Sequence, residues 1–139
     1  MIGFFPDFYP DELLYSALAR YHMRSGHITY PATASELYCD RYVQPDTEFI
    51  NEFTENALQW ICKEKQWKTI IYEHTMFPAY ARFLPKEKLD IVLESLLNCK
   101  GNWRNHLAIP NENEERFLKY CPLCAEEDRK KYGETYWSL

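Results

Sequence analysis

Apolar residues recur at helical spacing along most of the chain, and the first run is the clearest. Leu13, Leu14, Ala17, Leu18 and Tyr21 fall three or four residues apart, on one face of a helix. Pro10 suits a first helical position, Asp11 and Glu12 complement the positive helix end, and Gly26 supplies a left-handed stop. The pattern therefore predicts a helix from Pro10 to Gly26. The nine residues before it, MIGFFPDFY, are rich in aromatic rings and broken by Pro6, as in an extended arm.

Further along, Thr33-Ala34-Ser35-Glu36 has the form of a capping box and predicts a short helix through about Cys39. Pro45 and Asp46 mark another start, and Phe49, Ile50, Phe53, Ala57, Trp60 and Ile61 form one helical stripe after it. A helix over Trp67 to His74 is expected next, ended by a bend at Pro78. Pro85 opens one more, with Leu89, Val92, Leu93, Leu96 and Leu97 toward the core and Gly101 as its stop. Residues 102–115 have the composition of a polar connector. Beyond them the pattern predicts a short strand at 116–120, a tight turn at Cys121 to Cys124, and a polar helix over 125–132 closed by Gly133. The predicted fold is mainly α. It has a compact helical domain over 1–110, with a helix-turn-helix-like arrangement among its first helices. An incomplete zinc-ribbon-like module occupies 111–139.

Composition narrows the function classes. Apolar residues make up 46% of the chain and aromatic ones 17%, enough to build a core. No apolar run approaches the roughly 20 residues that span a bilayer. No secretory segment follows Met1, because Pro6, Asp7, Pro10, Asp11 and Glu12 interrupt it. The expectation is a soluble cytoplasmic protein. Twenty-one acidic against 16 basic side chains give a net charge of −5. A domain that tracks phosphates by itself usually carries a basic excess, so either DNA is met through a local patch or the main partner is protein.

Five cysteines with one close pair argue for reduced thiols, not a disulfide framework. Cys121 and Cys124, three positions apart across Pro122, can both face one Zn²⁺. Two free thiols in a loop is the plainer reading, and Cys99 and His106 could complete a site only if the connector folds back. A redox dithiol is a third reading. It needs Cys121 at a helix N-terminus and a thioredoxin-like sheet around it. Tyr72-Glu73-His74-Thr75 holds acid–base residue types, but neighbours on a helix point about 100° apart and do not converge. His74 is thus expected to cap or pack. His22 and His27 flank a helix end, where imidazolium is favoured.

Arg129, Lys130 and Lys131 form the densest basic cluster and are the candidate nucleic-acid contacts; a helix C-terminus favours the same residues. Lys63, Lys65 and Lys68 are a weaker cluster broken by Glu64. Phe4, Phe5, Phe8 and Tyr9 either dock on the core or, if exposed, make a partner-binding patch. There is no Gly-rich phosphate loop, no nucleophile elbow and no suitably paired carboxylates, so no enzymatic activity is expected.

Three segments resemble one family. Phe5-Pro6, Tyr9-Pro10-Asp11-Glu12-Leu13-Leu14-Tyr15-Ser16, Leu18-Ala19-Arg20-Tyr21-His22 and Arg24-Ser25-Gly26 look like the opening of TniQ/TnsD-type proteins. Ile71-Tyr72-Glu73-His74-Thr75-Met76-Phe77-Pro78, with Tyr80-Ala81 and Phe83, is the second match. Arg116-Phe117, Tyr120-Cys121-Pro122, Cys124, Tyr132-Gly133-Glu134 and Tyr136-Trp137 resemble the start of the family's zinc finger. The resemblance implies an adaptor without a catalytic centre that selects insertion sites for cut-and-paste transposons. It implies two partners: target DNA, met directly or through an RNA-guided complex, and an AAA+ transposition regulator. It also implies zinc on Cys121 and Cys124, with the remaining ligands in a segment beyond Tyr136-Trp137 in the family. The expectation is a chain cut within that module and zinc held partially or not at all. A homodimer, a sequence-specific DNA-binding module and a CxxC redox protein stay open as alternatives.

Overall fold

The first apolar stripe folds as its spacing demands. Helix α1 (Leu14–Ser25) buries Leu14, Ala17, Leu18 and Tyr21, and Gly26 closes it at φ 77°. The computed structural model describes residues 2–100, 103–107 and 120–138, and eight helices form among them.

The start of α1 departs from the expectation. Asp11 takes a positive φ of 55°, which Asp tolerates better than most residues. Residues 9–12 make a turn in which the Glu12 N–H donates to the Tyr9 carbonyl at 3.2 Å. Pro10 and Asp11 lie outside the helix, and Glu12 turns inward instead of complementing a helix end.

Helix α2 (Tyr30–Leu37) begins before the expected capping box, with Thr29 at its cap and Pro31 in its first turn. Thr33 is consequently inside the helix and buried. Its hydroxyl meets Nδ1 of His22 at 2.6 Å and Nδ1 of His27 at 3.0 Å, and is not a cap. The helix expected from Asp46 does not form. The Asp46 carboxylate accepts from the Glu48 and Phe49 N–H groups at 3.0 and 2.9 Å, a side-chain turn that competes with helix. Phe49, Ile50 and Phe53 are buried all the same, and Phe53 makes an antiparallel bridge with Tyr38. Helix α3 (Glu55–Ile61) starts only at Thr54, whose hydroxyl accepts from the Ala57 N–H at 3.1 Å.

Helix α4 (Trp67–His74) has the predicted bounds. Pro78 is not a bend but sits in the first turn of a short helix, α5 (Phe77–Ala81), where its missing N–H costs nothing. Helix α6 (Lys86–Leu97) follows Pro85, buries Val92 and Leu96, and leaves Leu97 exposed. It stops at Asn98 before a left-handed Cys99; the expected stop, Gly101, lies outside the described residues. A further turn, α7 (Trp103–His106), occupies part of the expected polar connector and places Trp103 in the core. The boundary at 110/111 and most of the expected strand at 116–120 lie outside the described residues.

Helix α8 (Pro122–Tyr132) opens at Cys121, so the cysteine pair is the first turn of a helix and not a turn before one. Among the described residues of this module no strand pair forms, and no residue of α8 is buried. The segment after it folds back onto α1. The Leu13 N–H donates to the Trp137 carbonyl at 2.7 Å, the Trp137 N–H donates to Ser16 Oγ at 3.0 Å, and Glu12 bridges Ser138 antiparallel.

One core runs through the body. Helix α1 packs on α2, α2 on α3, and α4 on α5 and α6. Phe5 of the arm is buried in this core and stacks on Tyr21 with ring centroids 5.9 Å apart. Below the arm lies a buried ion pair. Glu12, fully buried, receives Arg20 through Nε at 2.9 Å and an Nη at 3.0 Å. Ser16 Oγ and the Tyr9 N–H also donate to its carboxylate, at 2.8 and 3.0 Å. Removing one member of such a pair strands the other without water. Arg20→Met is expected to cost about 3–5 kcal/mol of stability, and Glu12→Gln combined with Arg20→Met less. Urea unfolding of the two variants checks this.

Candidate nucleic-acid and metal-binding surfaces

The residues singled out in the sequence do not converge on one centre. Cys121 and Cys124 stand exposed at the N-terminus of α8. The Cys124 N–H points at the Cys121 sulfur, and with the Cys124 thiol and the Leu123 N–H it holds the Cys121 thiol below its ordinary range. The same contact pushes the Cys124 thiol up. Two sulfurs side by side, one of them thiolate-prone, have the chemistry of half a tetrahedral zinc site. Among the described residues, however, no group of three or more His, Cys, Asp or Glu side chains gathers, so neither Cys99 nor His106 joins the pair. Cys99 is buried, and burial pushes its thiol up to about 12. All five cysteines are free thiols. The redox reading meets one of its two conditions, a cysteine at a helix N-terminus. The sheet it needs is absent among the described residues.

The basic cluster sits on the last turn of α8. Lys130 pairs with Glu126 one turn back at 2.8 Å, and the Lys131 ammonium lies 4.9 Å from the Tyr132 ring centre. Glu126, Glu127 and Asp128 precede the three cations directly and cancel their charge over the helix. The second cluster is also engaged, with Lys63 near Asp7 and Glu64, and Lys65 on Glu73 at 2.6 Å. The four residues between α1 and α2, with left-handed Gly26, match a helix-turn-helix turn in length and chemistry. Helix α2, which would be the reading helix, has the sequence YPATASEL and carries no Lys or Arg to meet phosphate.

The aromatic arm does not make an exposed four-ring patch. Phe5 is buried, Phe8 stacks on the His74 imidazole at 4.1 Å, and Tyr9 lies under the Arg20 guanidinium at 4.2 Å. Phe4, 37% exposed, packs against Tyr21 and is the most open of the four.

His74 is a packing residue, as expected for a lone helix-end histidine. It is buried, and its Nδ1 lies 2.7 Å from the Glu12 carbonyl. A carbonyl only accepts, so Nδ1 carries the proton and Nε2 accepts from the Lys65 ammonium at 3.0 Å.

A polar cluster that residue-by-residue reading missed lies where α1, the arm and the tail meet. Glu134 accepts from the Tyr9 hydroxyl at 2.6 Å and pairs with Arg24 and, at 3.5 Å, with Arg20. Burial works to raise the Glu134 carboxyl, but Tyr9 and the two arginines outweigh it and hold it below the usual range. The signal in the sequence was Glu12, Ser16 and Arg20 at steps of four, a polar line beside the apolar face of α1.

Residues 3–139 match the family model TniQ. The chain belongs to the TniQ family. It is also similar to the "Transposon Tn7 transposition protein TnsD" of Escherichia coli, at 29% identity over 147 aligned positions that cover 96% of this chain. The chain spans 27% of that relative's length. The polar cluster of this TniQ-family chain draws on two of the segments that carried the resemblance, with Tyr9, Glu12, Ser16, Arg20 and Arg24 from the first and Glu134 from the third. Among the described residues no helix is long and apolar enough to cross a membrane.

The state of His74 fixes a pH dependence. Burial, with the Lys65 ammonium adding to it, holds the imidazole below its ordinary value of 6.5 despite the Glu12 carbonyl. In the window just below pH 6.5 the unfolded chain therefore binds more protons than the folded one, and stability is lost as pH falls through it. The expected slope from this residue is at most about 1.4 kcal/mol per pH unit. Denaturant melts from pH 7 toward pH 5 should show it, and His74→Gln should flatten it.

Proposed function

We propose that this chain is the partner-docking part of a transposition target-selection adaptor, joining a target-recognition element to an AAA+ transposition regulator. The observation that carries this reading is the TniQ match over residues 3–139, together with similarity to a protein named for Tn7 transposition. The surface chemistry supports protein docking over autonomous DNA binding. Net charge is −5, the cations of α8 follow three acids, and α2 has none. In this reading residues 1–110 are the docking body and 111–139 a metal-binding appendage. DNA contact through Arg129, Lys130 and Lys131 is secondary, and no step of chemistry is assigned to any residue.

Cys121 and Cys124 serve as two of the four ligands of a structural zinc, which would stiffen the start of α8 when bound. Only two donors gather among the described residues, so the other two come from elsewhere.

The regulator should be retained when the folded full chain is immobilised and washed at moderate salt. A folded chain, checked by circular dichroism, that retains none sinks the docking role. Duplex DNA binding by this chain should be weak and low in salt slope. A slope of several units, reduced by about one for each of Arg129, Lys130 and Lys131 changed to Ala, would favour the DNA-binding reading instead. For the metal, zinc content of the purified chain should fall well below one per chain. Whatever zinc is present should vanish in Cys121→Ser with Cys124→Ser. Zinc that survives that double substitution refutes the ligand assignment, and a full equivalent that it abolishes shows that further ligands are supplied.

A further inference from the structure

Every residue from Tyr120 to Cys124 stands open to solvent, and both cysteines among them are free thiols. Cys121 is the N-cap of α8, and Pro122 sits in the first turn. The helical ladder begins at Cys121, whose carbonyl accepts from the Ala125 N–H at 3.0 Å. Cys124 follows three residues along that first turn. At helical rise and radius, residues three apart have Cα atoms about 5 Å from each other, inside the roughly 4.4–6.8 Å that a disulfide spans. The side chains use that approach. The Cys124 thiol donates to the Cys121 sulfur, and the Cys124 and Leu123 N–H groups point at the same atom.

The rest of the chain leaves the pair accessible. Helix α8 buries none of its residues, and the rings that hold it, Tyr132 and Tyr136 on Tyr9, lie at its other end. Among the described residues no group of three or more metal-ligating side chains forms, so no further donor competes for the sulfurs. The other thiols are placed differently. Cys62 is half-buried and Cys99 buried, while Cys39 is exposed but has Cys62 as its nearest cysteine in sequence.

We propose that Cys121 and Cys124 form a thiol-modification site, closed into an intramolecular disulfide by exchange with a low-molecular-weight disulfide of the glutathione class. One cysteine thiolate attacks a sulfur of that disulfide. Its S–S bond breaks, one small thiolate leaves, and a mixed disulfide stays on the chain. The second cysteine gives its proton to water and attacks the chain's own sulfur in the mixed disulfide, and the second small thiolate leaves. Two cysteine thiols are oxidised to one disulfide, and the small disulfide is reduced to two thiols. The second step joins sulfurs that are already side by side, so closure outruns build-up of the mixed disulfide. This self-modification needs no surrounding sheet, unlike an oxidoreductase that acts on other proteins. Closure takes both thiolates, so the disulfide and a zinc ion exclude each other; that consequence alone rests on the zinc reading.

The test uses the full chain, reduced, stripped of metal with a chelator and incubated with excess glutathione disulfide. After an acid quench, tryptic peptides are mapped by mass spectrometry. The peptide Tyr120–Arg129 carries both cysteines and should lose two hydrogens while keeping no glutathione. Dithiothreitol should restore the two thiols. Cys121→Ser and Cys124→Ser should each stop at one glutathione on the remaining cysteine. Because no residue of α8 is buried, both variants should fold, which circular dichroism checks. The proposal is overturned if the folded unsubstituted chain keeps glutathione on Cys121 or Cys124 in place of closing. It is equally overturned if the pair stays as two free thiols. Closure slowed by excess zinc ions supports the disulfide and the zinc assignment together. Closure at an unchanged rate supports the disulfide and counts against the zinc assignment alone.

Discussion

A fully buried carboxylate is costly unless it is paired and its remaining lone pairs are filled, and Glu12 carries one where the arm, α1, α4 and the tail meet. Arg20 pairs it through two nitrogens, and Ser16 and the Tyr9 N–H fill the other positions. Each partner belongs to a different stretch of chain or a different turn of α1, so satisfying one carboxylate fixes the path of the arm. The Glu12 backbone extends the constraint. Its carbonyl meets His74 at the end of α4, and its bridge to Ser138 aligns the tail. Arg20 then reaches Glu134, which Tyr9 and Arg24 also hold. A single ionic centre thus ties the arm and α1, which adjoin in sequence, to the distant end of α4 and to the tail.

That centre explains where the module carrying Cys121 and Cys124 sits. Helix α8 buries none of its residues and has little apolar surface to hold it. Its position comes instead from its own last residue and the tail beyond. Tyr132 and Tyr136 pack their rings on Tyr9 at 4.6 and 4.8 Å, and Trp137 hydrogen-bonds to Leu13 and Ser16. The two thiols are held out in solvent by a clamp that lies after them in the chain.

The same centre uses up the aromatic arm. Phe5 supplies core, Phe8 covers His74 and Tyr9 covers Arg20. The large apolar side chains that stay open to solvent are elsewhere, Phe83 and Ile28 among them.

Features that depend on near neighbours were legible in the sequence. Helices α1 and α6 could be read because an apolar face repeats at helical spacing, and most residues of those faces are buried or half-buried. The close pair Cys121 and Cys124 and the three family segments were legible for the same reason, since each is a short local pattern. Whatever needs two distant segments at once was settled by the folded chain. Asp11 adopts a left-handed turn as Glu12 reaches in to Arg20, which no signal near Pro10 reports. Residues 45–54 keep a helical stripe of apolar residues yet stay irregular, because Asp46 caps its own turn and Phe53 bridges Tyr38. Glu134 meets Arg20 across 114 positions. An ion pair of that reach is set by how the helices pack, and packing is a property of the whole chain that no window of sequence contains.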